Sequence, residues 1–242
     1  MQTIFFRDMG TVAYDAAWDY QETLLQANLK IKAQRYNIAD HNMEGHTGGH
    51  TQNHLLFCEH PHVYTIGKSG HIENLLVNDS RLKELNVSFF KTNRGGDITY
   101  HGPGQIVGYP ILDLELFITD LGKYMRNLEE VIIRTLSYYN IDSGRLSGST
   151  GVWLDADIKG KARKICAMGV RCSRWVTMHG FALNVNTDLK YFDHIVPCGI
   201  TDKSVTSLHK ELGRNIEEQE VRDKLKHEFG IVFNASVITQ ED

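Results

Sequence analysis

Arg94-Gly95-Gly96-Asp97-Ile98-Thr99-Tyr100-His101-Gly102-Pro103-Gly104-Gln105 sets four glycines, a proline, an arginine and a histidine between two strand-like apolar runs. Glycine lets backbone amides come close to a ligand, proline limits flexibility, and arginine and histidine supply polar groups that a turn does not need. A hairpin connection takes only about two to five residues. The stretch therefore reads as a rigid binding loop carried by a sheet, with Val87 to Phe90 as the strand before it and Ile106 to Leu114 as the strand after it.

Outward from this loop the chain alternates unevenly between the two periodicities. Thr3 to Phe6 reads as a first strand, and Val12, Ala16, Tyr20, Leu24 and Ala27 recur at helical spacing. Leu55 to Ile66 is strand-like with a break at His60-Pro61-His62, and Asp79 to Leu85 suits a short helix. Leu121, Met125, Leu128, Ile132 and Leu136 mark a long amphipathic helix, after which strand patterns dominate from Gly151 to Val185. Asn215 with Glu218 forms a capping-box-like start, Val221, Leu225 and Phe229 line one face, and Gly230 ends that helix. Neighbouring strands between widely separated helices predict an α+β (mixed α/β) fold rather than strict βαβ alternation. No Pro-rich or Gly/Ser-rich linker and no internal repeat divides the chain, so a single domain is expected.

Composition narrows the function classes. With 242 residues and 41% hydrophobic content, the chain is long enough for one large globular core. Its 26 basic and 30 acidic residues give a net charge of −4, which argues against general nucleic-acid binding. The N-terminus lacks a signal pattern and no apolar run approaches a membrane span, so a cytoplasmic protein without membrane attachment is expected. From Lys159 to Arg174 the six basic residues Lys159, Lys161, Arg163, Lys164, Arg171 and Arg174 occur with no acidic one. Such a run suits either a landing patch for an acidic partner or a strand edge guarded by charge.

The four cysteines differ in setting, and none forms a CxxC or CxxH pair, so no metal site is expected from them. Cys58, Cys166 and Cys172 sit inside apolar or alternating strand patterns and read as structural. Only Cys198 follows a proline and precedes a glycine, at the end of a strand-like run where a side chain can face a cleft. Considered in isolation, a lone cysteine is more often a buried core thiol. A covalent transferase, however, needs a nucleophile that attacks a thioester and leaves again, and a thiolate stabilised by a nearby cation meets both demands.

Three separated motifs, RGGDITYHGPGQ, KICAMGV with HGFALN, and PCG, resemble in order and spacing the lipoyl(octanoyl) transferases. The resemblance runs from about Asn53 to Leu208. It implies a catalytic domain related to the biotin and lipoate protein ligases, with a mixed sheet, flanking helices and a cleft. It also implies a ping-pong reaction in which Cys198 accepts an octanoyl group from octanoyl-acyl carrier protein and passes it to a lysine of lipoyl domains. Those acceptors are the lipoyl domains of 2-oxoacid dehydrogenases and the glycine cleavage H protein; no cofactor is implied. Lys164, 34 positions before Cys198, is implied as the cation that lowers the thiol pKa and moves protons. Substrate contacts carried over are Arg94, Gly95, Gly96, Asp97, Ile98, Thr99, Tyr100 and His101, then Ala167, Met168 and Gly169, then Gly180, Phe181 and Ala182. An ATP-dependent lipoate or biotin protein ligase is the first alternative, although no GxxxxGK[ST] loop is present.

A second alternative, a noncatalytic metal-responsive protein, rests on His41, His46, His50 and His54. The region at about 37–52 reads as a His-rich polar insertion that departs from compact family members, and a flexible loop is the preferred reading there. His60 and His62 flank Pro61 in a turn, His179 in HGFALN either shapes the pocket or serves structure, and Asp113 and Asp188 lie near strand ends without a paired carboxylate.

Overall fold

The computed structural model describes residues 1–40, 49–196 and 204–240. In chain order the strands and helices are β1 (Gln2–Thr11), α1 (Tyr14–Asp40), β2 (Asn53–Glu59), β3 (Val63–Ile66), α2 (Asp79–Glu84), β4 (Ser88–Lys91), β5 (Ile98–His101), β6 (Gln105–Ile111), α3 (Leu121–Ser137), β7 (Gly144–Leu146), β8 (Ser149–Leu154), β9 (Arg163–Ser173), β10 (Val176–Asn184), β11 (Ser204–Val205), α4 (Leu208–Leu212), α5 (Glu218–Val232) and β12 (Ala235–Thr239).

Among the described residues a nine-stranded mixed sheet runs β12-β1-β2-β6-β10-β9-β8-β7, with β11 paired to β9, and a second sheet runs β4-β3-β5. The mixed α/β architecture expected from the sequence is the one observed. One face of the large sheet packs on α3 and α5 through Leu128, Ile132, Leu225 and Phe229, which meet Ile106, Leu183 and Ile165. On the opposite face Leu56, Val107, Ile111 and Met178 meet Ala17 and Leu25 of α1. The small sheet builds its own apolar cluster around Tyr64, Ile98 and Tyr100. Alternating burial in β6 and β10 thus supplies both layers at once, which is why both strands are buried along their whole length.

Several boundaries differ from the sequence reading, each for a physical reason. The opening dodecapeptide is not one loop, because the β-branched and aromatic run Ile98–His101 pairs with β3 as β5. On α1 the inward face is Tyr14, Ala17, Gln21, Leu25, Asn28 and Lys32, whereas Ala16 and Ala27 are exposed. Polar side chains occupy those inward positions because each has a fixed partner. Gln21 accepts from the His179 amide, Asn28 exchanges two bonds with the Gln52 backbone, and Lys32 reaches Asp113. At α5 the cap is Glu217, accepting from the Gln219 amide, in place of Asn215. Gly230 lies within that helix and not at its end; a Cβ there would come within 3.2 Å of the Ala235 carbonyl of β12.

Of the segment read as a polar insertion, only residues 37–40 and 49–52 are among those described. Helix α1 continues to Asp40, and on the other side Arg35 donates to the Gly49 carbonyl while Thr51 is buried and donates to Asp113. His54 belongs to β2, its ring 5.8 Å from that of Phe5. His41 and His46 lie outside the described residues.

Lys32 and Asp113 form the most enclosed ion pair among the described residues, at 2.7 Å with side chains 2% and 1% exposed. Asp113 also accepts from Thr51 at 2.9 Å, and Lys32 reaches Glu115 at 2.9 Å. These contacts tie α1 to the exit of β6. Removing Asp113 leaves the buried Lys32 ammonium with only the partly exposed Glu115 and takes the acceptor from the buried Thr51 hydroxyl, so Asp113→Ala is expected to lower stability by about 3 kcal/mol in urea titration at neutral pH. A loss below about 1 kcal/mol would mean that water reaches the pair.

Candidate active site

α1 covers only part of its face of the large sheet, and the small sheet covers another part; between them lies a cleft of about 790 Å³ counting its open mouth. Its floor follows from strand register. Val107 of β6, Ala182 of β10 and Ala167 of β9 are cross-strand partners in one row, and Gly180 with Gly169 forms the next. Small residues in these rows leave a trough instead of a filled core, and all five line the cleft. Gly169 has a second reason to lack a side chain: a Cβ there would lie 2.7 Å from the Gly95 carbonyl, where the small-sheet loop crosses β9.

The roof is the segment between β4 and β5. Arg94, 8% exposed, donates through Nη2 to the Thr65 carbonyl and hydroxyl at 2.8 and 2.9 Å and through Nη1 to the Gly95 carbonyl at 3.0 Å. The Gly95 amide in turn donates to Val170 of β9 at 2.9 Å, so one turn clamps the two sheets together. Gly96 adopts φ +85°, a left-handed conformation that other residues enter only with strain. Asp97 closes the turn by accepting from the Ile98 amide at 2.6 Å and from Asn74 at 2.6 Å.

Polar groups at the back of the cleft are oriented by hydrogen bonds. His60 Nδ1 faces the Val12 carbonyl at 2.7 Å and must donate, which leaves Nε2 to accept from the Tyr109 hydroxyl at 2.7 Å. His101 Nδ1 donates to Gln105 Oε1 at 2.8 Å. Gln105 then donates to Asn184 Oδ1 at 2.9 Å, and Asn184 to the Thr206 carbonyl at 3.0 Å. Burial first, then the nearby His60 ring, holds the His101 pKa down at about 3, with Arg94 adding to the effect. His179 is likewise held down at about 3 by burial, then by Arg94 and Arg171. Its φ of +59° on a strand turns the ring toward Asn93, with Nε2 2.7 Å from the amide oxygen. Both rings are neutral imidazoles at physiological pH.

Lys164 enters from the open end. It lines the cleft with Val205, its cross-strand neighbour on β11, and its Nζ sits 4.6 Å from the centre of the Trp153 ring. The three cysteines among the described residues are different. Burial pushes the Cys58, Cys166 and Cys172 thiols up, so none is primed as a thiolate. Cys198 lies outside the described residues.

The structure therefore gathers residues from three separate stretches of sequence: Arg94 and Gly96–Thr99 with His101, Lys164 with Ala167–Gly169, and Gly180–Ala182 all line this cleft. Gly95 and Tyr100 stand behind its wall, Gly95 as the backbone tie to β9 and Tyr100 buried with its ring 4.9 Å from that of Tyr191. Phe181 and Met168 contribute chiefly from the opposite face, since both pack in the α3–α5 core. Sequence reasoning left out Tyr14, Gln105, Val107, Tyr109, Asn184, Phe192 and Val205. The alternation Gln105-x-Val107-x-Tyr109 directly after the glycine stretch is the signal from which three of them were accessible.

Residues 14–230 match the lipoyl protein ligase A/B catalytic domain. The chain belongs to the octanoyltransferases of this family. It is 56% identical over 238 residues to an octanoyltransferase of Flavobacterium psychrophilum, covering 98% of this chain and 99% of the relative. To one of Christiangramia forsetii it is 58% identical, covering 96% of each. Among solved structures, a lipoate-protein ligase A bound with ATP superposes with a TM-score of 0.65 at 15% identity, covering 100% of this chain and 90% of the other. A bi-partite lipoate protein ligase of Thermoplasma acidophilum gives 0.66 at 14%, covering 100% and 88%. At such identities these two show a shared fold. The enzyme is an acyltransferase, and no helix among its described residues is long and apolar enough to cross a membrane.

The neutral histidines carry a pH consequence. His101 and His179 fold with pKa values near 3, against about 6.5 in the unfolded chain. The unfolded state binds more protons between those values, so this contribution to stability is complete above pH 6.5 and declines as pH falls toward 3. Between pH 7 and pH 5 the two rings together are expected to cost roughly 4 kcal/mol. NMR titration of the native protein should show both ring C–H resonances unchanged down to pH 5. A midpoint near 6.5 for either ring would mean that it is solvated.

Proposed function

We propose that this octanoyltransferase works by double displacement, with Cys198 as nucleophile and Lys164 as its cationic partner. A Cys198 thiolate attacks the thioester carbonyl of octanoyl-acyl carrier protein, forming a new carbon–sulfur bond as the carrier's thiolate leaves and takes up a proton. The ε-amine of a target lysine on a lipoyl domain then attacks the enzyme thioester. A carbon–nitrogen bond forms, the carbon–sulfur bond breaks, the amine proton passes to solvent by way of Lys164, and the Cys198 thiolate is regenerated. The acceptors are the lipoyl domains of 2-oxoacid dehydrogenases and the glycine cleavage H protein, and the reaction takes place in the cytoplasm.

The observation that carries this reading is the position of Lys164. Its ammonium borders a largely apolar trough, and its strand neighbour Val205 ends the connection that bears Cys198, which leaves the described chain at Val196 and rejoins it at Ser204 beside Arg163. The trough of Val107, Ala182 and Ala167 suits an aliphatic chain, and Phe192 and Val205 extend its apolar lining. The polar roof at Arg94 and Gly96–Thr99 is suited to the polar head of the thioester, while Ala167, Gly169, Gly180 and Ala182, on the paired strands β9 and β10, are suited to line the acyl chain. Burial of Cys58 and Cys166 takes them out of competition as nucleophiles, and the half-buried Cys172 has its thiol pKa pushed up.

Cys198→Ser is expected to abolish a covalent acyl adduct, because a serine hydroxyl stays protonated at neutral pH, whereas Cys166→Ser and Cys172→Ser should retain it. Lys164→Ala should slow acylation most at neutral pH and recover part of the rate toward pH 8.5, where an unassisted thiol ionises. Peptide mapping of the trapped adduct reads the first result and the pH–rate profile the second. An adduct on another residue, or a profile unmoved by Lys164→Ala, would reject the assignment.

The same reading gives the basic run a role. Arg163 is engaged by Glu211 and Asp155, and Arg171 by Glu22, while Lys159 and Lys161 are exposed. Those two lysines would steer an acidic carrier. Reversing both to glutamate should lower the second-order rate at low salt severalfold while sparing the single-turnover rate at saturation. A salt dependence equal to that of the parent enzyme would make them ordinary surface charge.

A further inference from the structure

The register between β8 and β9 contains one extra residue, and it falls beside Lys164. Val152 faces Cys166 and the next residue, Trp153, faces Lys164, so one step along β8 is matched by two along β9 and Ile165 is the residue in excess. Ile165 and Cys166 are consecutive, yet both bury in the core shared with α3 and α5. Lys164 and Ala167, on either side of them, both line the cleft. In an unbroken strand, residues three apart point to opposite faces, so a regular β9 that placed Ala167 in the trough would send Lys164 into the core. A bulge of this kind re-aims one side chain.

Two further features fit the bulge. Gly151, just before Val152, has φ +111°, and a Cβ there would come within 2.5 Å of the Cys166 carbonyl and 3.5 Å of Lys164 Cε. Its amide donates to Glu129 Oε1 at 3.1 Å, a fully buried carboxylate on α3. The second feature is Trp153, which shares the cleft side of β8 with Lys164 while Val152 and Leu154 point into the core. Its indole is 2% exposed, and its N–H has no hydrogen-bond partner among the described residues. A buried indole usually satisfies that donor. Here the ring face meets a cation 4.6 Å from its centre, an arrangement that attracts an ammonium electrostatically.

We infer that Trp153, held by the bulge at Ile165, is a positioning residue for acyl transfer: its ring seats the Lys164 ammonium in the cleft where the thiolate needs it. The inference rests on the proposed pairing of Lys164 with Cys198. Trp153 itself is not among the residues that line the cleft. Its effect passes through the place and orientation of one charge.

The test is the pH dependence of alkylation at Cys198, read by peptide mapping, in the parent enzyme, Trp153→Leu, Trp153→Phe, Lys164→Ala and the double variant Trp153→Leu/Lys164→Ala. Trp153→Leu should move the midpoint up and slow alkylation at pH 7 roughly three- to tenfold, and Trp153→Phe, which keeps a ring face, should fall between it and the parent. In the Lys164→Ala background Trp153→Leu should add nothing, because the cation that it seats is gone. If Lys164→Ala shifts the midpoint and neither Trp153 variant does, the seat is refuted while the Lys164–Cys198 pairing survives. If Lys164→Ala leaves it unmoved, both fail. Equal shifts from Trp153→Leu with and without Lys164 would show a merely structural role and also overturn the inference. Should Trp153→Leu fail to fold, as judged by its urea midpoint, Trp153→Phe carries the same comparison in both backgrounds.

Discussion

A directed chain of hydrogen bonds beginning at Arg94 fixes the site. The guanidinium donates to the Thr65 hydroxyl, which faces His101 Nε2 at 3.4 Å; His101 donates to Gln105, Gln105 to Asn184, and Asn184 to the Thr206 carbonyl. The Thr206 amide finally donates to the carbonyl of Lys164 at 2.9 Å. Each group has one orientation that satisfies both neighbours, and reversing any amide would face donor to donor. The chain starts in the small sheet, crosses β6 and β10, and ends on the strand that carries Lys164. Roof, floor and open end of the cleft are therefore held in one mutual geometry, and the cost of burying so many polar groups is offset because every link is made.

The same constraint sets the electrostatics. Arg94 is buried beside two imidazoles, and its charge joins burial in keeping His101 and His179 neutral. A neutral ring can serve the chain as a one-way donor and acceptor, whereas a protonated ring would lose its acceptor and break it. The cleft consequently holds its cations at its two ends, with an apolar trough and fixed neutral dipoles between them. Such an arrangement favours an uncharged acyl chain in the middle and an ionised sulfur at the Lys164 end.

Much of this was legible in the sequence because the chemistry is concentrated in short motifs. The glycine stretch, KICAMGV and HGFALN each mapped to the cleft, and the strong 3.6-residue period of α3 predicted that helix. What escaped has a common cause. The inward face of α1 carries Gln21, Asn28 and Lys32, whose partners His179, Gln52 and Asp113 are distant in sequence for all but one, so polarity concealed burial. Strand β12 is brief and half exposed, and its pairing with β1 at the opposite end of the chain has no local signal. The bulge at Ile165 is equally silent, since KICAM reads as an uninterrupted apolar strand. Tertiary partners decided each of these cases.

Double displacement requires that the acyl group rest on the enzyme after the donor has gone. The most direct measurement is a two-stage transfer without ATP: the enzyme is charged with labelled octanoyl-acyl carrier protein, separated from the carrier, and only then given a lipoyl domain. The account predicts label on the isolated enzyme and its stoichiometric passage to the lipoyl-domain lysine in one turnover. Label that never stays with the enzyme, or that reaches the acceptor only when donor and acceptor are present together or ATP is supplied, would contradict it.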